Sequence, residues 1–150
     1  MSTLVFDELI TELNQNVIVT NQRGFKSFAL KLLLYMHSNP TGDFLLEIFD
    51  ADDILICEKQ FDASYLKDRL HTSDPCLYGW IFFDFSQFSL TRGSYKIKLS
   101  CVDHVYSETS FLGWCKDWEN NFEQNDTLNE IEWTQWPLGL RIISLEPREF

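Results

Sequence analysis

The chain has 150 residues, 45% hydrophobic and 23% charged, with an aromatic share of 15% that is mostly its 13 Phe. That length and composition suit one globular unit with a real core, so a single β-sandwich domain over 1–150 is the expectation. A formal charge of −11 leaves no Lys/Arg footprint for a phosphate backbone, which excludes nucleic acid as an expected partner.

The opening Met-Ser-Thr-Leu-Val-Phe-Asp-Glu has neither a basic n-region nor an apolar h-region, so the chain is expected to be made in the cytoplasm without a signal peptide. No apolar run reaches bilayer length. Phe28–Met36 is short and is broken by Lys31, so no membrane partner is expected. Cys57, Cys76, Cys101 and Cys115 show no CxxC and no zinc spacing. Three of the four fall inside expected strands and read as small buried hydrophobes.

Residues 3–9 and 15–20 give two short strands, with Asn14-Gln-Asn16 as a candidate turn between them. Asn21-Gln-Arg-Gly24 is a second turn signal, since Gly24 can take a positive φ. Ser27–His37 reads as a long strand with Phe28, Leu30, Leu32 and Leu34 on one face and Lys31, Leu33 and Tyr35 on the other. Asn39-Pro-Thr-Gly42 stops it and leads into a hairpin. There the runs Phe44–Phe49 and Ile54–Phe61 flank the turn-forming Asp50-Ala-Asp-Asp53.

Asp62 or Ser64 can cap one or two helical turns over Ser64–Leu70, and His71–Pro75 reads as loop. Tyr78–Phe85 returns to strand chemistry, with Ile81, Phe83 and Phe85 inward and Trp80, Phe82 and Asp84 opposite. After a turn at Arg92-Gly93, Tyr95, Ile97, Leu99 and Cys101 alternate with Lys96, Lys98 and Ser100, which marks a half-buried strand. Ser107–Cys115 is a further strand and Lys116–Glu132 a long polar loop. Leu138–Ile143 is the last strand, with Leu138, Leu140 and Ile142 inward. Eight or nine strands at short turn spacing and one brief helix predict an all-β, jelly-roll-like, two-sheet antiparallel β-sandwich.

The segments Asn-Pro-Thr-Gly-Asp43, Leu46-Glu-Ile-Phe-Asp-Ala-Asp52, Tyr78-Gly-Trp-Ile-Phe-Phe-Asp-Phe85 and Leu90-Thr-Arg-Gly-Ser-Tyr-Lys-Ile-Lys-Leu99 carry a resemblance. Over about residues 25–145 the chain resembles jelly-roll β-sandwich modules, which recur in bacteriophage virion proteins and in carbohydrate-binding or cell-surface proteins. Such modules host many unrelated tasks, so the resemblance implies a fold more than a function.

Two places carry chemistry worth naming. Asp50, Asp52 and Asp53 could supply oxygens to Ca²⁺, although the glycine and distal glutamate of an EF-hand loop are missing and Asp also serves hairpin turns. Trp118, Trp133 and Trp136, with Phe122, Asn120 and Asn121 in or beside the polar loop, offer rings to stack on sugars and amides to bond their hydroxyls. Trp114 alternates with Leu112 and belongs in the core. His37, His71 and His104 lie in no nucleophile motif, no carboxylate pair stands out, and no Gly-rich phosphate loop occurs. No enzyme activity and no cofactor are therefore expected.

Two readings remain open. The first is a non-enzymatic structural protein, a bacteriophage tail, neck or capsid-surface component located in the virion, partnered by other virion proteins or by itself as a homo-oligomer. Its virion setting is implied by the resemblance alone. The second is a carbohydrate-binding module that recognises glycans through the aromatic patch.

Overall fold

The computed structural model describes residues 3–6, 10–38, 40–67, 69, 71–73, 76–103, 110–115, 131–133 and 138–146. Among them run eleven strands and one short helix: β1 (Thr3–Val5), β2 (Glu12–Val19), β3 (Phe28–His37), β4 (Asp43–Phe49), β5 (Leu55–Asp62), α1 (Ala63–Lys67), β6 (His71–Ser73), β7 (Cys76–Phe85), β8 (Gly93–Cys101), β9 (Phe111–Cys115), β10 (Ile131–Trp133) and β11 (Leu140–Ser144). All pairings are antiparallel. One sheet has the order β1-β9-β3-β7-β6 with β11 also on β3, and the other has the order β10-β2-β8-β4-β5. The predicted two-sheet β-sandwich is the fold observed.

The period-two pattern explains the packing. On β3 the inward Phe28, Leu30, Leu32, Leu34 and Met36 are buried, as are Ile81, Phe83 and Phe85 on β7. The five-stranded sheet answers with Leu13, Val17 and Val19 of β2, Phe44, Leu46 and Ile48 of β4, and Ile97 and Leu99 of β8. Phe61 joins the two inner faces, its ring 5.0 Å from Phe83 and 5.7 Å from Phe44. Each fully buried side chain of this size contributes about 1.5–3 kcal/mol relative to exposure, so these strands stay together through their inward faces.

Three local expectations are corrected. Asn14-Gln-Asn16 is no turn but the middle of β2, paired without interruption from Glu12↔Ser100 to Val19↔Gly93. The alternation of buried Leu13, Gln15, Val17 and Val19 with exposed Glu12, Asn14 and Asn16 overrides the turn preference of Asn, because β8 offers a complete ladder. His71–Ser73, expected as loop, pairs with β7 through Tyr78–Cys76. Within the expected polar loop, Ile131–Trp133 forms β10 against Val17–Val19. The helix is the brief one expected, Ala63–Lys67, and Asp62 caps it, accepting the Ser64 N–H at 2.7 Å. The turn at Gly24 is as expected, with φ 63° and its N–H bonded to the Asn21 carbonyl at 3.1 Å.

Two features place the outer faces. The second edge of β3 is shared: β11 occupies Phe28–Leu32 and β9 occupies Leu34–His37. At the junction Gly139 accepts the Leu33 N–H and donates to the Cys115 carbonyl. The other edge, on β7, is covered by side chains from β5 of the opposite sheet and from α1. Lys59 Nζ donates to the Asp84 carbonyl at 2.7 Å, and the Tyr65 hydroxyl donates to the Phe82 carbonyl at 3.0 Å. Covering an edge in this way blunts its tendency to pair with another chain.

Candidate functional site

The sequence-predicted aromatic patch lies mostly outside the described residues: Trp118, Asn120, Asn121, Phe122 and Trp136 are all there. Trp133 is described at the backbone only, where it ends β10 opposite Val17 at the edge of the five-stranded sheet. Trp114 is fully buried on β9, as the alternation implied.

At the Asp-rich hairpin tip the carboxylates of Asp50 and Asp53 make contacts within the fold. Asp50 Oδ1 accepts the backbone N–H of Asp52 at 2.9 Å and of Ile54 at 3.0 Å. Asp53 sits at φ 60° with Oδ1 3.0 Å from Lys96 Nζ. These bonds engage one oxygen each of Asp50 and Asp53, two of the three Ca²⁺ candidates, and among the described residues no cluster of three or more His, Cys, Asp or Glu could hold a metal ion. Asp50 is a turn residue, stabilising the reversal through its own backbone neighbours.

The three described thiols are set apart from reactive chemistry. Burial pushes Cys57 and Cys101 up to about 12, so both stay protonated and poorly nucleophilic at neutral pH. Cys115 is fully buried.

The distinctive surface is the outer face of the six-stranded sheet. Strand alternation sends Lys31, Leu33, Tyr35 and His37 of β3 to the face opposite the core, where Leu33 is still buried. The register then sets their neighbours: Lys31 lies between Arg141 of β11 and Phe82 of β7, Leu33 is opposite Trp80, and His37 is opposite Phe111 of β9. The rings of His37 and Phe111 stack, with centroids 4.9 Å apart and planes 9° from parallel. Tyr35 joins them at 5.9 Å from Phe111, and its hydroxyl lies 3.0 Å from His37 Nδ1. Gly113 stands opposite Tyr35 and brings no side chain to that position.

Across the same face the Arg141 guanidinium lies 4.2 Å from the centre of the Trp80 ring, a cation–π contact that fixes both groups. Phe82 is 42% exposed, whereas Tyr35, His37, Trp80, Phe111 and Arg141 are half-buried. From the Lys31 row to the His37 row the aromatic strip runs about 20 Å along the strands, at roughly 3.4 Å per residue. It combines apolar ring faces with a phenol, an imidazole and a guanidinium in one line.

The opposite outer face has a different character. Lys98 of β8 lies 3.1 Å from Glu12 and 4.0 Å from Glu47, and Lys96 pairs with Asp53. Its rows set Asn14 and Asn16 against these lysines. That is a solvated, charge-matched surface, and aromatic rings there are few.

The sequence carried a signal for the aromatic strip. Tyr35, Trp80 and Phe82 stand on the outward phase of two clearly alternating strands, where a merely wet face would hold polar residues. What it could not supply was the neighbour relation, because β9 and β11 reach β3 from far along the chain.

No family model matches the sequence, and no curated protein does. Among solved structures the chain is similar to a non-crystalline cellulose specific carbohydrate-binding module, CBM28, with a TM-score of 0.47 and 9% sequence identity over 75% of this chain and 68% of that one.

Proposed function

We propose that this protein is a non-catalytic glycan-binding module that takes its ligand along the outer face of the six-stranded sheet. The observation that carries the reading is the aromatic strip of Trp80, Tyr35, His37 and Phe111, held in place by ring stacking and by Arg141. A sugar ring presents an apolar C–H face and a rim of hydroxyls. An aromatic ring with a polar tip matches both, burying the C–H face and bonding the rim. Rings on strands, fixed by neighbours, lose little conformational freedom on binding, which favours affinity.

The test is binding to a panel of immobilised polysaccharides by the purified protein and by Trp80→Ala and Tyr35→Ala. Retention should fall at least tenfold in both variants while near-ultraviolet circular dichroism stays native-like, with Phe88→Ala as an exposed aromatic control. A second arm carries Trp118→Ala, Trp133→Ala and Trp136→Ala. Loss there alone would move the site to the C-terminal tryptophans, and retention in every variant would remove the reading.

A second reading, a structural or virion protein that assembles with other copies or partners, draws on a different feature. Ile54, Leu55, Phe88 and Leu145 are exposed, by 60%, 42%, 39% and 37%. They lie at one end of the sandwich, where β3 and β8 begin and β4, β7 and β11 finish. Light scattering after size exclusion separates the two: a closed oligomer dispersed by Ile54→Ser or Phe88→Ser favours assembly.

A further inference from the structure

We infer that the end of the sandwich bearing Ile54 and Phe88 is the face of a symmetric dimer, in which the β4–β5 hairpin tip of each copy meets Arg23 and Arg92 of the other. The inference rests on the assembly reading above and names the occupant of that end, a second copy of this chain. The apolar part is Ile54, Leu55, Phe88 and Leu145, all exposed. Beside it stand three cations. Phe25 and Leu90 form an isolated antiparallel bridge at this end, with Arg23 and Arg92 each two residues beyond it and Lys26 next to Phe25. The Ser27 carbonyl accepts the Leu145 N–H at 2.9 Å, and the Ser27 hydroxyl donates to the Ser86 carbonyl at 2.9 Å. Lys26 therefore shares its ground with Leu145 and with the loop that carries Phe88. Arg23, Lys26 and Arg92 are exposed, and among the described residues none of them is in an ion pair.

The same end carries the opposite charge. Asp50 is bonded within the turn and Asp53 to Lys96. Asp52 is exposed, and its carboxylate has no partner among the described residues. An acidic partner suits the cations, and a cationic partner suits the tip. A second copy, turned over about a twofold axis in the contact plane, brings both, because such an interface uses one patch on each side and makes every contact twice. It also sets the apolar side chains of the two ends against each other and takes them out of water.

Size decides how strong the contact is. An end five strands wide and two sheets deep covers roughly 25 by 20 Å. That is on the order of 500 Å² on each copy, the scale of a weak and reversible interface. The net charge of −11 on each copy opposes the approach. At physiological salt the screening length is about 8 Å, so charges elsewhere on the sandwich count for little against pairs in contact. Neither outer sheet face is used, and the aromatic strip stays open in the dimer.

The experiment is sedimentation velocity of the full-length protein over a concentration series at physiological salt. The samples are the parent, Asp52→Lys, the double variant Arg23→Glu with Arg92→Glu, and an equimolar mixture of the two variants. The parent should dimerise reversibly in the micromolar range. Each variant alone sets like charges face to face and should weaken dimerisation about tenfold or more, with near-ultraviolet circular dichroism native-like. Mixing should restore it, because each variant then offers the other a matched charge at both contacts. A parent that stays monomeric at every concentration overturns the dimer and leaves assembly only with a different protein. Self-association that Ile54→Ser disperses but neither charge reversal weakens overturns the charge-matched geometry and leaves the assembly reading standing. Reversals that weaken the dimer without recovery on mixing overturn the pairing of tip with cations, and an open-ended series of oligomers overturns the twofold axis.

Discussion

The indole Nε1–H of Trp114 donates to the carbonyl of Gly139 at 2.8 Å, and the same oxygen accepts the Leu33 N–H at 2.9 Å. One carbonyl thereby ties β9, β3 and the start of β11 together at the point where the second edge of β3 changes partners. Gly139 permits this because a Cβ there would overlap the Leu33 Cβ and press on the Cys115 carbonyl. Gly139→Ala should cost about 1–3 kcal/mol by overpacking. Trp114→Phe should cost at least about 1 kcal/mol, since a buried bond is lost while Leu33 still serves the acceptor. Urea unfolding of both variants measures this, and an unchanged midpoint for Gly139→Ala would show that the junction can relax.

Gln15 is a second cross-link, and it spans the two sheets. It is a buried polar side chain, 5% exposed, whose Oε1 accepts the Leu138 N–H at 2.8 Å while Nε2 donates to the Asn16 carbonyl at 2.9 Å. Gln15→Met keeps the volume and strands the Leu138 N–H, so stability should fall by about 1–3 kcal/mol. Amide hydrogen exchange at Leu138 should accelerate in the same variant. Exchange that stays slow would mean another acceptor takes the bond.

These two residues show where legibility in the sequence ended. The alternating strands β3, β4, β5, β7 and β8 were readable because period two is a local property, and Trp114 was readable as core for the same reason. Asn14–Asn16 reads as a turn from local propensity because no spacing in the sequence shows that β8 lies alongside. The aromatic strip was hidden in the sequence for a related cause. Tryptophans near a polar loop drew attention by composition, while Tyr35, Trp80 and Phe111 form one surface only through pairings that join residues as distant as β3 and β9. The partner of Gln15 lies 123 residues away, and no spacing rule reaches that far.

At the hairpin tip the carboxylate of Asp50 bridges two backbone N–H groups. Asp50→Ala removes the acceptor for two backbone N–H groups, from Asp52 and Ile54, and should cost about 1–2 kcal/mol. Asp52→Ala should cost much less. Millimolar Ca²⁺ should leave the thermal midpoint of the parent protein where it is. A calcium-dependent rise that Asp50→Ala abolishes would restore the metal reading.

The open edge of β7 depends on Lys59 and Tyr65. Their donors occupy the Asp84 and Phe82 carbonyls, and Arg69 braces Tyr65 from 3.7 Å above the ring. The double change Lys59→Ala and Tyr65→Phe leaves those carbonyls to water and exposes a paired-on-one-side strand. Self-association should rise with protein concentration in light scattering while each single variant remains close to the parent. A double variant that stays dispersed would show that the edge is guarded by something other than these two side chains.

Cys57 is one of two thiols, with Cys101, that make stability depend on alkaline pH. It is 4% exposed, and burial pushes its thiol from 9.0 up to about 12. Between those values the unfolded chain has released the proton and the folded chain still holds it. The unfolded state therefore binds fewer protons, and stability must fall as pH rises through this window. The slope from one such group is up to about 1.4 kcal/mol per pH unit. Below pH 9 the contribution is complete, and raising the pH only removes it. Cys57→Val eliminates the titration, so its stability should decline less steeply than the parent's between pH 9 and 11, even if its level at pH 7 is lower. Urea unfolding at half-unit pH steps gives both slopes. Parallel lines for parent and variant would mean that the Cys57 thiol ionises as readily in the fold as out of it.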